Sequence, residues 1–230
     1  MELLWANWYV AAIVIAKLEC HKDYDYLYQL INKEKITLIH FVPSMLDVFL
    51  NYLSTKEYSQ CNLQIVFCSG EALKNNTCDT FYKLIPDISL YLYGPTEASI
   101  DVNYSLCEPD KKVTIGKPIS NTKLYILDNY LLPTPIGAPG ELYIGGAGLA
   151  RGYLNLPQLT KEKFINNPFA TLDDIAKGYT RLYKTGDICK WLANGEIEYI
   201  GRNDFQVRLR GFRIELGEIE NVISAINNIK

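Results

Sequence analysis

Two short stretches carry residue types suited to chemistry on phosphates and sugars. In "YLYGPTEASID", residues 91 to 101, a β-prone apolar run is broken by Gly94 and Pro95, so Thr96 and Glu97 stand where a strand ends. Ligand sites of open α/β sheets lie at such ends. A threonine hydroxyl donates to a phosphate oxygen and a glutamate carboxylate is a hard ligand suited to Mg²⁺, so the pair fits a nucleoside triphosphate with its metal. The same pattern also makes a purely structural exit from a strand. In "YKTGDI", residues 183 to 188, Asp187 follows a glycine turn, and its carboxylate is able to accept two hydrogen bonds from ribose hydroxyls. An Asx-type turn accounts for that stretch equally well.

Other stretches invite chemistry and fit it less well. "GELYIGGAGLARGYLN", residues 140 to 155, is glycine-rich, but it is not GxxxxGK and no helix follows directly to offer free N–H groups; tight β-turn packing is the favoured reading. "GRNDFQVRLRGFRIELGEIE", residues 201 to 220, also reads as a solvated, charge-laced strand and helix. His40 lies in an apolar strand, where a histidine satisfied by one neighbour is the default. With two histidines, His21 and His40, and no GxSxG elbow, a Ser-His-Asp triad has few ways to form. The six cysteines contain no CxxC pair, which argues for reduced, mostly buried thiols in a cytoplasmic protein and against a metal centre.

The elements that must position these residues change character near residue 105. Before it, strands and helices alternate: "AAIVIAKL" as a strand, "DYLYQLINKEK" as a helix, "ITLIHF" as a strand and "PSMLDVFLNYL" as a helix with Pro43 in its first turn. "LQIVFC", a helix from about Ala72 to Leu84, and "ISLYLY" continue the rhythm, which predicts a mostly parallel sheet covered on both faces. From about Val113 to Ile200 the strands are short and separated by turns, with "ICKWLA" and "EIEYIG" joined by Asn194-Gly195, a strong hairpin signal. That region reads as a small β-barrel or a set of β-meanders. A helix starts near Leu216, with Ile219, Val222, Ile223 and Ile226 on one face. The fold class expected is α/β: a mostly parallel sheet with flanking helices over 1–110, a β-barrel-like part over 111–203, and the start of an α+β C-terminal subdomain over 204–230.

Composition narrows the function classes. Hydrophobic residues make up 48% and charged residues 21% of the 230, as in an ordinary globular protein. A net charge of -3 gives no reason to expect nucleic acid or an anionic membrane as a partner. The apolar start contains Glu2 and Asn7 and lacks both a basic n-region and a small-residue cleavage site, so it fits neither a signal peptide nor a membrane span.

Taken in order, "YGPTE", "GELYIGGAGLARGYL", "YKTGDI" and "GRNDFQVRLRGFRIELGEIE" resemble successive core motifs of the amino-acid adenylation domains of non-ribosomal peptide synthetases, within the adenylate-forming superfamily. The upstream "HFVPSML" and "VFCSGEAL" match the same family, so the resemblance covers essentially the whole chain. The sequence departs from the family pattern at Tyr91, where asparagine is common. It begins just after the family's phenylalanine-aspartate motif, without the threonine/serine/glycine-rich phosphate loop, and ends before the catalytic lysine. The expectation is therefore a domain fragment with little or no activity of its own.

The resemblance implies an enzyme that activates an amino acid with ATP and Mg²⁺ as aminoacyl-AMP. The acyl group then passes to the phosphopantetheine thiol of a peptidyl carrier domain, beside a condensation domain of the same assembly line. It implies that Thr96 holds the α-phosphate, Glu97 the magnesium, and Tyr93 stacks on adenine, with backbone of Gly70, Glu71, Ala72 and Gly94 nearby. Asp187 would take the ribose hydroxyls, Arg202 would lie near ribose and phosphate, and Asp204 would be the hinge of the mobile C-terminal subdomain. Aligned to the family, the amino-acid pocket is His40, Phe67, Ser69, Leu92, Ile100 and Asp101, a set resembling serine-activating domains. The alternatives are an acyl- or aryl-CoA ligase relative, disfavoured by "RIELGEIE" and "ARGYLN", and a non-catalytic remnant that binds nucleotide or a neighbouring domain.

Overall fold

A computed structural model describes residues 6–56, 62–85, 89–91, 94–99, 101–204, 206–209, 212–216, 219, 222, 223 and 226. Three parallel strands, β1 (Leu38–Phe41), β2 (Ile65–Cys68) and β3 (Ser89–Tyr91), form a sheet in the order β1-β2-β3. Their crossovers carry α2 (Pro43–Leu53) and α3 (Asn75–Leu84), while α1 (Tyr24–Lys33) precedes β1.

Alternation along the strands decides which side chains meet the helices. Phe41, Val66 and Cys68 are buried with Leu27 and Ile31 of α1, Leu46, Phe49, Leu50 and Leu53 of α2, and Cys78 and Phe81 of α3. His40 and Phe67, paired in register across β1 and β2, fall on the opposite face. Among the described residues, then, helices pack on one face of this sheet, where the apolar strands predicted two. Helix α1 is capped by Asp23, whose side chain accepts the Tyr26 N–H at 3.0 Å. Helix α2 starts at Pro43 after Val42, a residue with no capping group, and the carboxylate of Glu71 caps it from 27 positions away by accepting the Ser44 N–H at 3.1 Å.

The second half is antiparallel. Strands β6 (Thr122–Leu127), β7 (Gly140–Gly146), β9 (Arg181–Trp191) and β10 (Ile197–Arg202) form a curled sheet in the order β10-β9-β7-β6, with β8 (Phe164–Asn166) also on β9. The β9–β10 hairpin turns at Asn194-Gly195, where Gly195 supplies a left-handed φ of +78°. Two short strands, β4 (Asn103–Tyr104) and β5 (Lys117–Pro118), pair between the two halves. The core here gathers Ala98, Val102, Leu124, Ile126, Leu142, Ile144, Phe164, Tyr183, Cys189 and Ile197. Helices α4 (Pro157–Lys163) and α5 (Leu172–Ala176) border it, α5 closed by a capping box between Thr171 and Asp174. A last hairpin joins β11 (Gln206–Leu209) to β12 (Phe212–Glu215), and helical residues follow from Leu216.

Three expectations need correction. Residues 11–18 form no strand, and Val10, Ile15 and Leu18 are 94%, 84% and 93% exposed; β-propensity alone makes no strand without a neighbouring row of N–H and C=O groups. Helix α3 begins at Asn75 and not at Ala72, because Lys74 is extended and Leu73 is drawn into the core. Asp187 does not follow a turn: Gly186, at φ +80°, is a kink inside the continuous strand β9. Cys68, Cys78, Cys107 and Cys189 are buried free thiols, and burial pushes the Cys68 and Cys189 thiols up, as expected of inert packing residues. Among the described residues, no helix is long and apolar enough to cross a membrane.

Candidate functional site

The turn bearing Thr96 and Glu97 lies just beyond the end of β3. Pro95 is extended, Thr96–Ala98 make one 3₁₀ turn, and Ser99 leaves it in the left-handed conformation at φ 60°. Thr96 is exposed, whereas Glu97 is only 5% exposed. A carboxylate so buried is costly unless donors or a cation meet its charge. The Tyr153 hydroxyl donates to Glu97 Oε1 at 2.8 Å. The Ala150 N–H donates to the Glu97 carbonyl at 2.8 Å, and the Ser99 hydroxyl to the Gly148 carbonyl at 2.7 Å. A side chain at Gly148 would stand 3.0 Å from the Ala98 carbonyl, so the glycine-rich stretch after β7 is built for close packing on this turn.

No cluster of three or more ligating side chains occurs among the described residues. Magnesium is commonly held by one or two carboxylates plus substrate phosphates and not by an all-protein cage. An exposed hydroxyl beside a buried carboxylate on one turn fits this mode.

A second charged cluster sits where β9 meets β10, Arg202 lying directly across from Asp187. Arg202 donates through Nη1 to Asp187 Oδ1 at 2.6 Å and through Nη2 to the Thr185 carbonyl at 3.1 Å. Its Nε and Nη2 grip both oxygens of Asp204, at 2.7 and 2.6 Å. Burial alone would raise the Asp204 pKa, but the guanidinium holds it below the usual carboxylate value. Asp187 is 4% exposed. Arg202→Ala would leave one buried and one part-buried carboxylate without their cation, which typically costs about 3 kcal/mol. Arg202→Lys should recover little of this, since a single ammonium cannot reproduce the three-nitrogen fork. Because the folded Asp204 pKa is depressed, its share of the stabilisation is present above the ordinary carboxylate pKa and fades as pH falls through the lower folded value. Urea unfolding of the wild type and both variants at pH 7 and near pH 3 checks this; equal midpoints at pH 7 would refute it.

At the ends of β1 and β2, His40 Nε2 and the Ser69 hydroxyl are 2.8 Å apart, and Phe67 pairs with His40 in register. Gly70 follows at φ +94°, turning the chain toward Glu71 and the exposed Ala72. Asp101 is exposed, with its N–H donating to the Ser99 carbonyl at 3.1 Å. Gly94 is half-buried at the start of the Thr96 turn. Leu92, Tyr93 and Ile100 lie outside the described residues.

The AMP-binding enzyme family model matches residues 1–154, two thirds of the chain and the part that contains the Thr96-Glu97 turn. The chain belongs to the AMP-binding enzyme family. Within that family it is 43% identical over 241 aligned residues to a mycosubtilin synthase subunit from Bacillus subtilis, covering 100% of this chain and 9% of that protein. To enterobactin synthase component F of Escherichia coli (strain K12) it is 41% identical over 238 residues, again across 100% of this chain and 18% of the relative. The chain thus spans less than a fifth of these relatives. In three dimensions it resembles PA1221, an NRPS protein containing adenylation and PCP domains, with a TM-score of 0.77 at 25% identity over 88% of this chain and 40% of that one. The AMP-binding assignment and this likeness bear out the resemblance to peptide-synthetase adenylation domains and the α/β fold class.

Two side-chain contacts escaped the sequence reading. Tyr153 lies inside "ARGYLN", a stretch whose local reading is turn packing, and nothing local links it to a glutamate 56 positions earlier. Glu71 carries a helix-capping side chain in addition to the backbone role expected of it.

Proposed function

We propose that this chain is the nucleotide-handling part of an amino-acid adenylation domain acting on serine. In the reaction the amino-acid carboxylate attacks the α-phosphorus of ATP in line, forming aminoacyl-AMP and releasing pyrophosphate. The phosphopantetheine thiol of a carrier domain then attacks the acyl carbon, forming a thioester as the acyl–phosphate bond breaks and AMP leaves. The observation that carries the reading is the turn pairing an exposed Thr96 hydroxyl with a buried Glu97 carboxylate at the end of a parallel sheet. Thr96 donates to the α-phosphate, where charge grows as the new bond forms. Glu97 holds magnesium, which neutralises phosphate charge when bound. Asp187 accepts from the ribose hydroxyls, Arg202 holds Asp187 oriented at 2.6 Å, and Asp204, gripped by the same guanidinium, is the hinge. Tyr93 stacks on the adenine, with Gly70, Glu71, Ala72 and Gly94 as its backbone surroundings. PA1221, with its adenylation and PCP domains on one chain, supports the carrier-domain partner.

The experiment is amino-acid-dependent pyrophosphate exchange by the full-length protein that carries these residues. Asp187→Ala is expected to raise the ATP concentration for half-maximal exchange about tenfold, because it removes binding common to every amino-acid substrate. The order of preference among amino acids should not move. A changed preference would show that Asp187 belongs to the amino-acid pocket, and no exchange with any amino acid would refute the proposed activity.

A further inference from the structure

Glu97 sits on a turn too short to hold a side chain by itself. One 3₁₀ turn between an extended proline and a left-handed serine has neither a helical ladder nor a sheet partner to fix it. Its support comes from residues 147–153, which follow β7 in the antiparallel half. Three hydrogen bonds cross: Ser99 Oγ to the Gly148 carbonyl at 2.7 Å, the Ala150 N–H to the Glu97 carbonyl at 2.8 Å, and the Tyr153 hydroxyl to Glu97 Oε1 at 2.8 Å. The first two hold backbone and the third holds the carboxylate itself.

Tyr153 is in turn held from several sides. Its N–H donates to Thr160 Oγ1 of α4 at 2.9 Å, and its ring meets Phe164 edge-on with centroids 5.7 Å apart. Arg181 of β9 clamps the neighbouring backbone, Nη1 to the Arg151 carbonyl at 2.9 Å and Nη2 to the Ala150 carbonyl at 3.0 Å. The same guanidinium lies over the Phe164 ring, 5.4 Å from its centroid. The ring position is therefore fixed by packing independent of its hydroxyl, leaving the hydroxyl as a rigid donor aimed at one carboxylate oxygen.

We propose that Tyr153 is the positioning residue for the Glu97 carboxylate, fixing its rotation so that it meets a divalent cation already oriented. This rests on Glu97 being the magnesium ligand. A phenol-to-carboxylate hydrogen bond is charge-assisted and directional, so it restricts the side-chain rotamers that a glutamate would otherwise lose on binding metal. Outer-shell donors of this kind typically govern about 10- to 100-fold in metal affinity. The glycine-rich stretch thereby acquires a function: close packing through Gly148 is what brings Tyr153 within reach of Glu97.

Tyr153→Phe removes the hydroxyl and keeps the ring on Phe164. The test compares wild type, Tyr153→Phe, Glu97→Gln and the double variant in the full-length protein. Two quantities are read: the Mg²⁺ concentration for half-maximal pyrophosphate exchange, and Mn²⁺ affinity in the presence of ATP, from the electron paramagnetic resonance of free Mn²⁺. Tyr153→Phe is expected to raise the Mg²⁺ requirement and weaken Mn²⁺ binding about tenfold, with exchange recovered in part at high magnesium. In the Glu97→Gln background the same substitution should add nothing further. Equal shifts in both backgrounds would show that Tyr153 does not act through Glu97, overturning the proposal. Slower exchange at every magnesium concentration with the requirement unmoved would make Tyr153 a structural brace only, and overturn it too. If Glu97→Gln shifts the requirement and Tyr153→Phe does not, the positioning role fails while the metal-ligand reading stands. If Glu97→Gln itself shifts neither quantity, the metal-ligand reading fails and this inference with it.

Discussion

Offered serine, threonine, alanine and glycine one at a time, the full-length protein is expected to exchange pyrophosphate with serine about 10⁴-fold more efficiently than with alanine. The expectation follows from the His40 and Ser69 pair, 2.8 Å apart on the side of the parallel sheet opposite α1, α2 and α3. An imidazole and a hydroxyl each give and take a hydrogen bond, so between them they can serve both functions of a substrate hydroxyl. In the proposed pocket Asp101 would add an acceptor, and Phe67, with Leu92 and Ile100 as the companions expected from the family pattern, would bound the volume. Alanine would fill the same space without answering the donor and acceptor positions that the His40–Ser69 hydrogen bond leaves over, which is why a missing hydroxyl is rejected more strongly than an extra methyl. Threonine keeps the hydroxyl and adds one methyl, so its exclusion is steric and weaker, about 10- to 200-fold. Alanine or a large apolar amino acid outperforming serine would refute the pocket and return His40 to a histidine paired with Ser69.

The elements that hold this site were legible wherever one local signal sufficed. Continuous apolar runs between helical patterns found β1 and β2, Pro43 marked the first turn of α2, and Asn194-Gly195 marked the β9–β10 hairpin. Residues 11–18 misled because Ala, Ile and Val report compatibility with a strand and not the presence of a partner for it. Tyr153 on Glu97, Glu71 on the start of α2 and Arg202 on Asp187 were illegible because each joins residues through the fold and not along the chain. The first two span 56 and 27 positions. Motif order placed these stretches in one family pattern without saying how their side chains meet. It did not show that the glycine-rich stretch braces the Thr96-Glu97 turn, because local spacing speaks only of tight turns.

Glu97→Gln should lower turnover by about 10²- to 10³-fold at limiting magnesium, the scale of losing one preorganised electrostatic stabiliser. The substitution keeps the side-chain length and the acceptor for the Tyr153 hydroxyl, so packing around a residue 5% exposed is little disturbed. What changes is charge. A neutral amide oxygen is a poor ligand for a hard divalent cation, and its NH₂ donors oppose any cation brought to the same place. The loss should therefore shrink as magnesium rises, whereas a variant impaired by misfolding would stay slow at every concentration. Removing the charge also removes the cost of burying it, so the thermal midpoint of the metal-free protein should hold or increase. Lower activity with a matched or higher midpoint is the pattern of a group kept for chemistry at the expense of stability. A variant as active as wild type at limiting magnesium would remove Glu97 from the metal site.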